Sequence, residues 1–166
     1  DAIATLMWNI GANINMQYSL SGSGAYSVLA TQKAVEVFGY SKKCRYLHKM
    51  DYRWNEWKSI LRNELDEKRI VFYNGSNSEG GHAFVCDGYK DGEAFHINWG
   101  WGSSHGYYLL TALDPDGLED PYKDDIGMTI GIAKPEEGET EVRELKYISL
   151  STLPNPAVET EFDVVP

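Results

Sequence analysis

Basic residues are in short supply. Fifteen Lys and Arg against 25 Asp and Glu leave a formal net charge of −10, which argues against nucleic acid or an anionic membrane as partner. Cysteine is scarcer still: the two present, Cys44 and Cys86, have no framework spacing, so no disulfide scaffold is expected and compartment is left open. No apolar run reaches the roughly eighteen residues of a membrane span, and no signal-peptide pattern is found. Ser21-Gly22-Ser23-Gly24 lacks the Lys and the preceding strand of a phosphate loop. No nucleophile elbow marks a Ser hydrolase. The acidic stretch Leu113 to Asp125 lacks EF-hand spacing and reads as a surface loop.

What is present is enough for one domain with a core and a short appendage: 166 residues, 42% hydrophobic and 13% aromatic. The most informative stretch runs from Gly80 to Gly102. Two apolar runs, His82 to Tyr89 and Glu93 to Asn98, flank Lys90-Asp91-Gly92, predicting a β-hairpin with a three-residue loop and Gly92 left-handed. With Tyr89 opposite Glu93, Cys86 faces His96, Phe84 faces Asn98 and His82 faces Gly100. His82 and Asn98 then share a face as diagonal neighbours, within side-chain reach. A two-residue turn would send Asn98 to the other face.

A His oriented by an Asn carboxamide is the base half of a thiol peptidase site. The expected catalytic residues are therefore His82 and Asn98. Gly80 and Gly81 would let an extended substrate backbone approach, while Trp99 and Trp101 would shield the His–Asn bond and wall the cleft. The plain alternative is a buried hairpin whose His is merely hydrogen-bonded. His82, Cys86 and His96 on one hairpin face suit Zn²⁺ by residue type, but His82 to Cys86 spans about 13 Å at strand rise, so no metal and no cofactor is expected.

Along the chain, Ile3, Leu6, Met7 and Ile10 recur at helical spacing, with Gly11 as the stop. Asn13 to Tyr18 follows as an extended piece, and Ser19 to Ser27 as a loop. Val28 to Phe38 reads as a second helix, Cys44 to Leu47 as a strand. A third helix, capped by Asp51, carries Trp54, Trp57, Leu61 and Leu65. Strands are expected at Ile70 to Tyr73, Tyr107 to Ala112 and Ile126 to Ile132, with Asn74 to Gly81 a glycine-rich loop. Strands after a helical half predict an α+β fold with an antiparallel sheet. The domain is expected to end at Lys134, and 135–166 to form an acidic linker and then a β-hairpin, Val142 to Leu150 with Val158 to Val165, or the start of an appended β module.

Gly-Gly-His-Ala-Phe-Val at 80–85 and His-Ile-Asn-Trp-Gly-Trp-Gly at 96–102 resemble the streptopain family of bacterial cysteine peptidases, secreted relatives of papain made as zymogens. The similarity runs to about Lys134 and takes in Ser21-Gly22-Ser23-Gly24-Ala25, Phe38-Gly39-Tyr40 and the helix of Trp57. It implies a papain-like fold, helical layer on antiparallel sheet, and a secreted or cell-surface endopeptidase acting on peptide or protein. Ser23 and Gly24 would wall the substrate cleft. Asn74 lies where the family has Gln, so its amide is a candidate oxyanion donor, one methylene short. The family's nucleophilic Cys lies in a helix upstream of the region matching Asp1. Cys86 is too far from His82, and Cys44, though it follows Lys42-Lys43, falls where the family has no nucleophile. The expectation is half an active site, completed by an upstream Cys-bearing chain of the same precursor, and a chain opening Asp1-Ala2-Ile3 as a processing product. The alternative is a non-catalytic peptide-binding or inhibitory relative.

Overall fold

A computed structural model of the chain describes residues 2–20, 22–91, 93–115, 117 and 120–139. The strands expected between Val142 and Val165, and the left-handed Gly92, lie outside the described residues.

Among the described residues three α-helices and a six-stranded antiparallel sheet make up the α+β fold expected from the sequence. The helices are α1 (Ala2–Asn13), α2 (Ser27–Glu36) and α3 (Trp54–Asp66). Strands β1 (Gln17–Tyr18) and β2 (Ser23–Gly24) pair with each other, so the Ser/Gly stretch expected to be an unpaired loop holds one short strand. The main sheet runs β3 (Arg45–His48), β8 (Asp124–Ile130), β4 (Val71–Asn77), β5 (Gly80–Lys90), β6 (Ala94–Asn98), β7 (His105–Leu109). Asn74 to Gly81 is therefore not a loop. Asn74 to Asn77 continue β4, paired with β5 on one side and, through a bulge, with β8 on the other. Pairing on both sides overrides the poor strand propensity of Asn-Gly-Ser-Asn.

One sheet face meets α3. Trp57 and Leu61, at helical spacing, bury completely against Tyr73, Phe84, Cys86, Phe95, Ile97 and Trp99. The Trp57 indole N–H donates to the Tyr73 hydroxyl at 2.9 Å, whereas the indole N–H of Trp99, equally buried, has no hydrogen-bond partner among the described residues. Glu56, not Asp51, caps α3: its carboxylate accepts the Arg53 N–H at 2.9 Å, and Asp51 sits in a single 3₁₀ turn ahead of it. At the other end buried Glu64 takes two hydrogen bonds from Arg69 and one from the Gly131 N–H, tying helix, β4 and the exit of β8 together. The opposite face is covered in part by α2, where Thr31 Oγ1 meets Thr129 Oγ1 at 2.5 Å. Helix α1 differs from both. It has no charged residue, buries only Gly11, and leaves Leu6, Met7 and Ile10 exposed.

The central hairpin has a three-residue connection, but between Lys90 and Ala94, with Asp91 left-handed at φ 52°. A bulge at Asp87 then shifts the register: Gly88 faces His96, while Cys86 faces Ile97 and Val85 faces Asn98. One extra residue flips every side chain beyond it relative to the predicted pairing.

Candidate active site

His82 enters from the start of β5, opposite Gly75 on β4. A side chain at Gly75 would place its Cβ 3.1 Å from Tyr122 Cβ, so the glycine makes room for the tyrosine. Tyr122 is brought there by a strap of loop. The Asp120 carboxylate accepts from the Ser78 N–H at 3.1 Å and hydroxyl at 2.5 Å, and the Lys123 N–H donates to the Ser76 carbonyl. Tyr122 thus stands 5.8 Å from the His82 ring.

The Trp-Gly-Trp-Gly run supplies the other side. Gly100 and Gly102 are left-handed (φ 81° and 59°), a conformation that costs glycine little. The resulting bend stacks Trp101 on His82 at 4.2 Å and turns the Trp99 carbonyl onto the ring. His82 Nε2 lies 2.8 Å from that oxygen. A carbonyl can only accept, so Nε2 carries a proton, and in the neutral ring Nδ1 keeps the lone pair. The ring is a neutral base with one nitrogen held. Burial pushes its pKa below the ordinary imidazole value, against the smaller raising effect of the Trp99 carbonyl.

The bulge corrects several sequence expectations. Asn98 faces away from His82, on the opposite side of the sheet, so the orienting role expected of its amide is withdrawn; the Trp99 carbonyl has it instead. Asn98 Oδ1 accepts the Gly100 N–H at 2.9 Å, bracing the bend that presents that carbonyl. Trp99 is fully buried and contributes that carbonyl and core packing rather than cleft wall, whereas Trp101 is 47% exposed beside His82. Asn74 pairs with Ala83, on the sheet face opposite His82, and although it reaches the same cleft its amide is engaged by the Tyr46 hydroxyl (2.9 Å) and the Asp125 carbonyl (3.0 Å), so the oxyanion role would need the Asp125 bond broken. His96 is likewise on the other face from His82 and Cys86, which removes the shared face of the Zn²⁺ alternative. Among the described residues no group of three or more His, Cys, Asp or Glu could hold a metal.

Neither thiol is poised for attack. Cys86 is buried on the core face, and burial pushes its thiol up to about 12. Burial also raises Cys44, with Glu64 adding to it, so Lys42-Lys43 do not activate that thiol as their sequence position suggested. Next to His82 lies an open cleft of about 1170 Å³, lined by Ser23, Gly24, Asn74, Gly81 and His82 from the expected site and by Tyr46.

The chain is similar to several known proteins. The model of the peptidase C10 family matches residues 1–108. The chain is similar to the thiol protease/hemagglutinin PrtT of Porphyromonas gingivalis, 40% identical over 137 residues, covering 79% of the chain and 16% of that protein. It is also similar to streptopain of Streptococcus pyogenes, 36% identical over 118 residues, 70% of the chain and 30% of that protein. Among solved structures it resembles the active wild-type interpain A cysteine protease of Prevotella intermedia, with 33% identity and a TM-score of 0.73 over 80% of this chain and 56% of that one. A prointerpain A fragment from the same organism follows at 32% identity and a TM-score of 0.66, covering 80% and 42%. The chain thus spans under a third of the curated relatives and about half of the solved ones.

Proposed function

The chain belongs to the peptidase C10 family of cysteine peptidases, and on that premise we propose that it supplies the general-base half of a secreted cysteine endopeptidase whose thiol comes from an upstream segment of the same precursor. The observation carrying this reading is the His82 ring, fixed through Nε2 by the Trp99 carbonyl beside an open cleft, with both Cys of the chain buried.

In the completed site His82 Nδ1 takes the thiol proton, and the thiolate attacks the peptide carbonyl carbon. The imidazolium gives that proton to the departing amine, leaving a thioester. Water then loses a proton to Nδ1 and attacks the thioester, releasing the acid and the thiol. Trp101 keeps water from one side of the ring, and Gly81, with Ser23 and Gly24 across the cleft, lets an extended peptide backbone lie close.

The bare apolar surface of α1 supports a missing partner. It is this helix, more than the buried Trp99, that carries exposed side chains such as Leu6 and Met7. An interface there and along the cleft would resemble a domain core cut in two. The test is reconstitution. The chain alone and the chain mixed with its upstream segment are assayed on a protein substrate, with and without a thiol alkylating agent. Alkylation-sensitive cleavage should need both parts and vanish with His82→Ala; cleavage by the chain alone would overturn the divided site. A full precursor without thiol-dependent activity would overturn the peptidase reading itself.

A further inference from the structure

The sheet face opposite His82 holds a second, polar cluster. Asn98 pairs with His105 and His96 with Tyr107, so His96 and His105 are diagonal neighbours across β6 and β7. The bulge that carried His96 away from Cys86 also set Asp87 beside it: Asp87 Oδ1 lies 2.5 Å from His96 Nδ1. The far nitrogen, His96 Nε2, lies 3.2 Å from His105 Nδ1. Tyr107 meets the His96 ring edge-on at 5.1 Å and limits its rotation.

We propose that His96 Nε2 and His105 Nδ1 form a two-imidazole site for a divalent transition-metal ion, with Asp87 as the carboxylate that orients the first ring. A carboxylate accepts, so Asp87 holds the His96 proton on Nδ1, and Nε2 accepts from the His105 Nδ1–H; a bound metal ion takes the place of that shared proton, which moves to His105 Nε2 or to solvent. Metal-bound histidines commonly carry such a carboxylate on their other nitrogen. The separation also fits: bonds of about 2.0–2.1 Å put two nitrogens of a tetrahedral zinc site about 3.3 Å apart. The His96 side chain is 23% exposed and His105 is exposed, so the ion reaches both from solvent. With no third protein ligand among the described residues, water fills the remaining positions. Imidazole donors select Zn²⁺, Cu²⁺ or Ni²⁺ over Mg²⁺ or Ca²⁺.

Calorimetric titration of the tag-free chain with Zn²⁺ should show one ion per chain, and the Cu²⁺ form should show two nitrogen couplings in its electron paramagnetic resonance spectrum. His105→Gln, at an exposed position, should weaken Zn²⁺ at least about a hundredfold, and Asp87→Asn about ten- to a hundredfold. His48→Gln and His82→Ala, at the other two histidines, should leave it unchanged. Wild-type affinity weaker than about 1 mM, a single nitrogen coupling, or Zn²⁺ binding that survives His105→Gln overturns the site. Each variant's circular dichroism is compared with wild type, and should His96→Gln fail to fold, His105→Gln decides alone.

Discussion

The β5–β6 ladder presents a histidine on each of its faces, and the two are held by different means. His82 is packed among Trp101, Trp99, Phe84 and Tyr122 and fixed by a neutral carbonyl, whereas His96 is fixed by a carboxylate and faces solvent with another imidazole. Desolvation plus a carbonyl leaves a neutral base with one free lone pair; hydration plus a carboxylate leaves a lone pair turned outward. Residue type alone therefore does not assign the chemistry. The extra residue Asp87 decides which histidine stands on which face.

The contrast between faces can be broken most sharply through stability. Trp57→Ala, on the packed side, should cost about 3–5 kcal/mol in urea unfolding, whereas Tyr107→Ala on the open side, which loses its cross-strand contact with His96, should cost about 1 kcal/mol or less. Equal losses would abolish the distinction between the faces. A smaller effect is expected at Glu64. Burial alone would raise its carboxyl, but the Arg69 hydrogen bonds and the Gly131 N–H outweigh that and hold it below the ordinary value. A depressed carboxyl contributes stability above its unfolded pKa, and this is lost as pH falls through the folded one. Glu64→Gln should therefore cost about 2 kcal/mol at pH 7 and flatten the acid limb of the stability curve below about pH 4.5. An acid limb identical to wild type would remove Glu64 from this account.

Asn98 separates the predicted register from the observed one. Were it to orient His82 directly, Asn98→Ala would disturb the ring itself. Through the Gly100 bend the expected loss is about 1 kcal/mol, with Asn98→Asp restoring the acceptor. Nitrogen NMR should show His82 with its proton still on Nε2 in the Asp variant. The smallest effect is on His82 titration. Its folded pKa lies below the unfolded value, so the unfolded chain takes up the proton first as pH falls. The associated stability is complete above about pH 6.5 and declines below it. Proton NMR reading His82 at or above the ordinary value would contradict its burial.

Much of this was legible beforehand. The α3 stripe of Trp57, Leu61 and Leu65, the hairpin and the Trp-Gly-Trp-Gly run each announced themselves by period or turn chemistry. The register did not survive the bulge, although Gly88 inside a strand pattern is the usual mark of one. Asn74 to Asn77 misled for a different reason. Small polar side chains there leave space for Tyr122 and for the cleft, a tertiary demand that no local propensity expresses. Tyr122 itself was missed because the strap that delivers it depends on Asp120 meeting Ser78, 42 residues away in the chain.

Among the described residues strand β8 is the last of the sheet in sequence, yet it lies between β3 and β4. As the chain leaves the ribosome, β4 to β7 can zip through successive hairpins, but β3 must wait for β8, its partner among the described residues, until residue 130 has emerged. Until then the β4 edge stands open to any passing strand, its own or a neighbour's. A chain stopped at residue 108, where the family match ends, would lack the bridge altogether. Its β3 would be a loose ribbon and its β4 a template for aggregation.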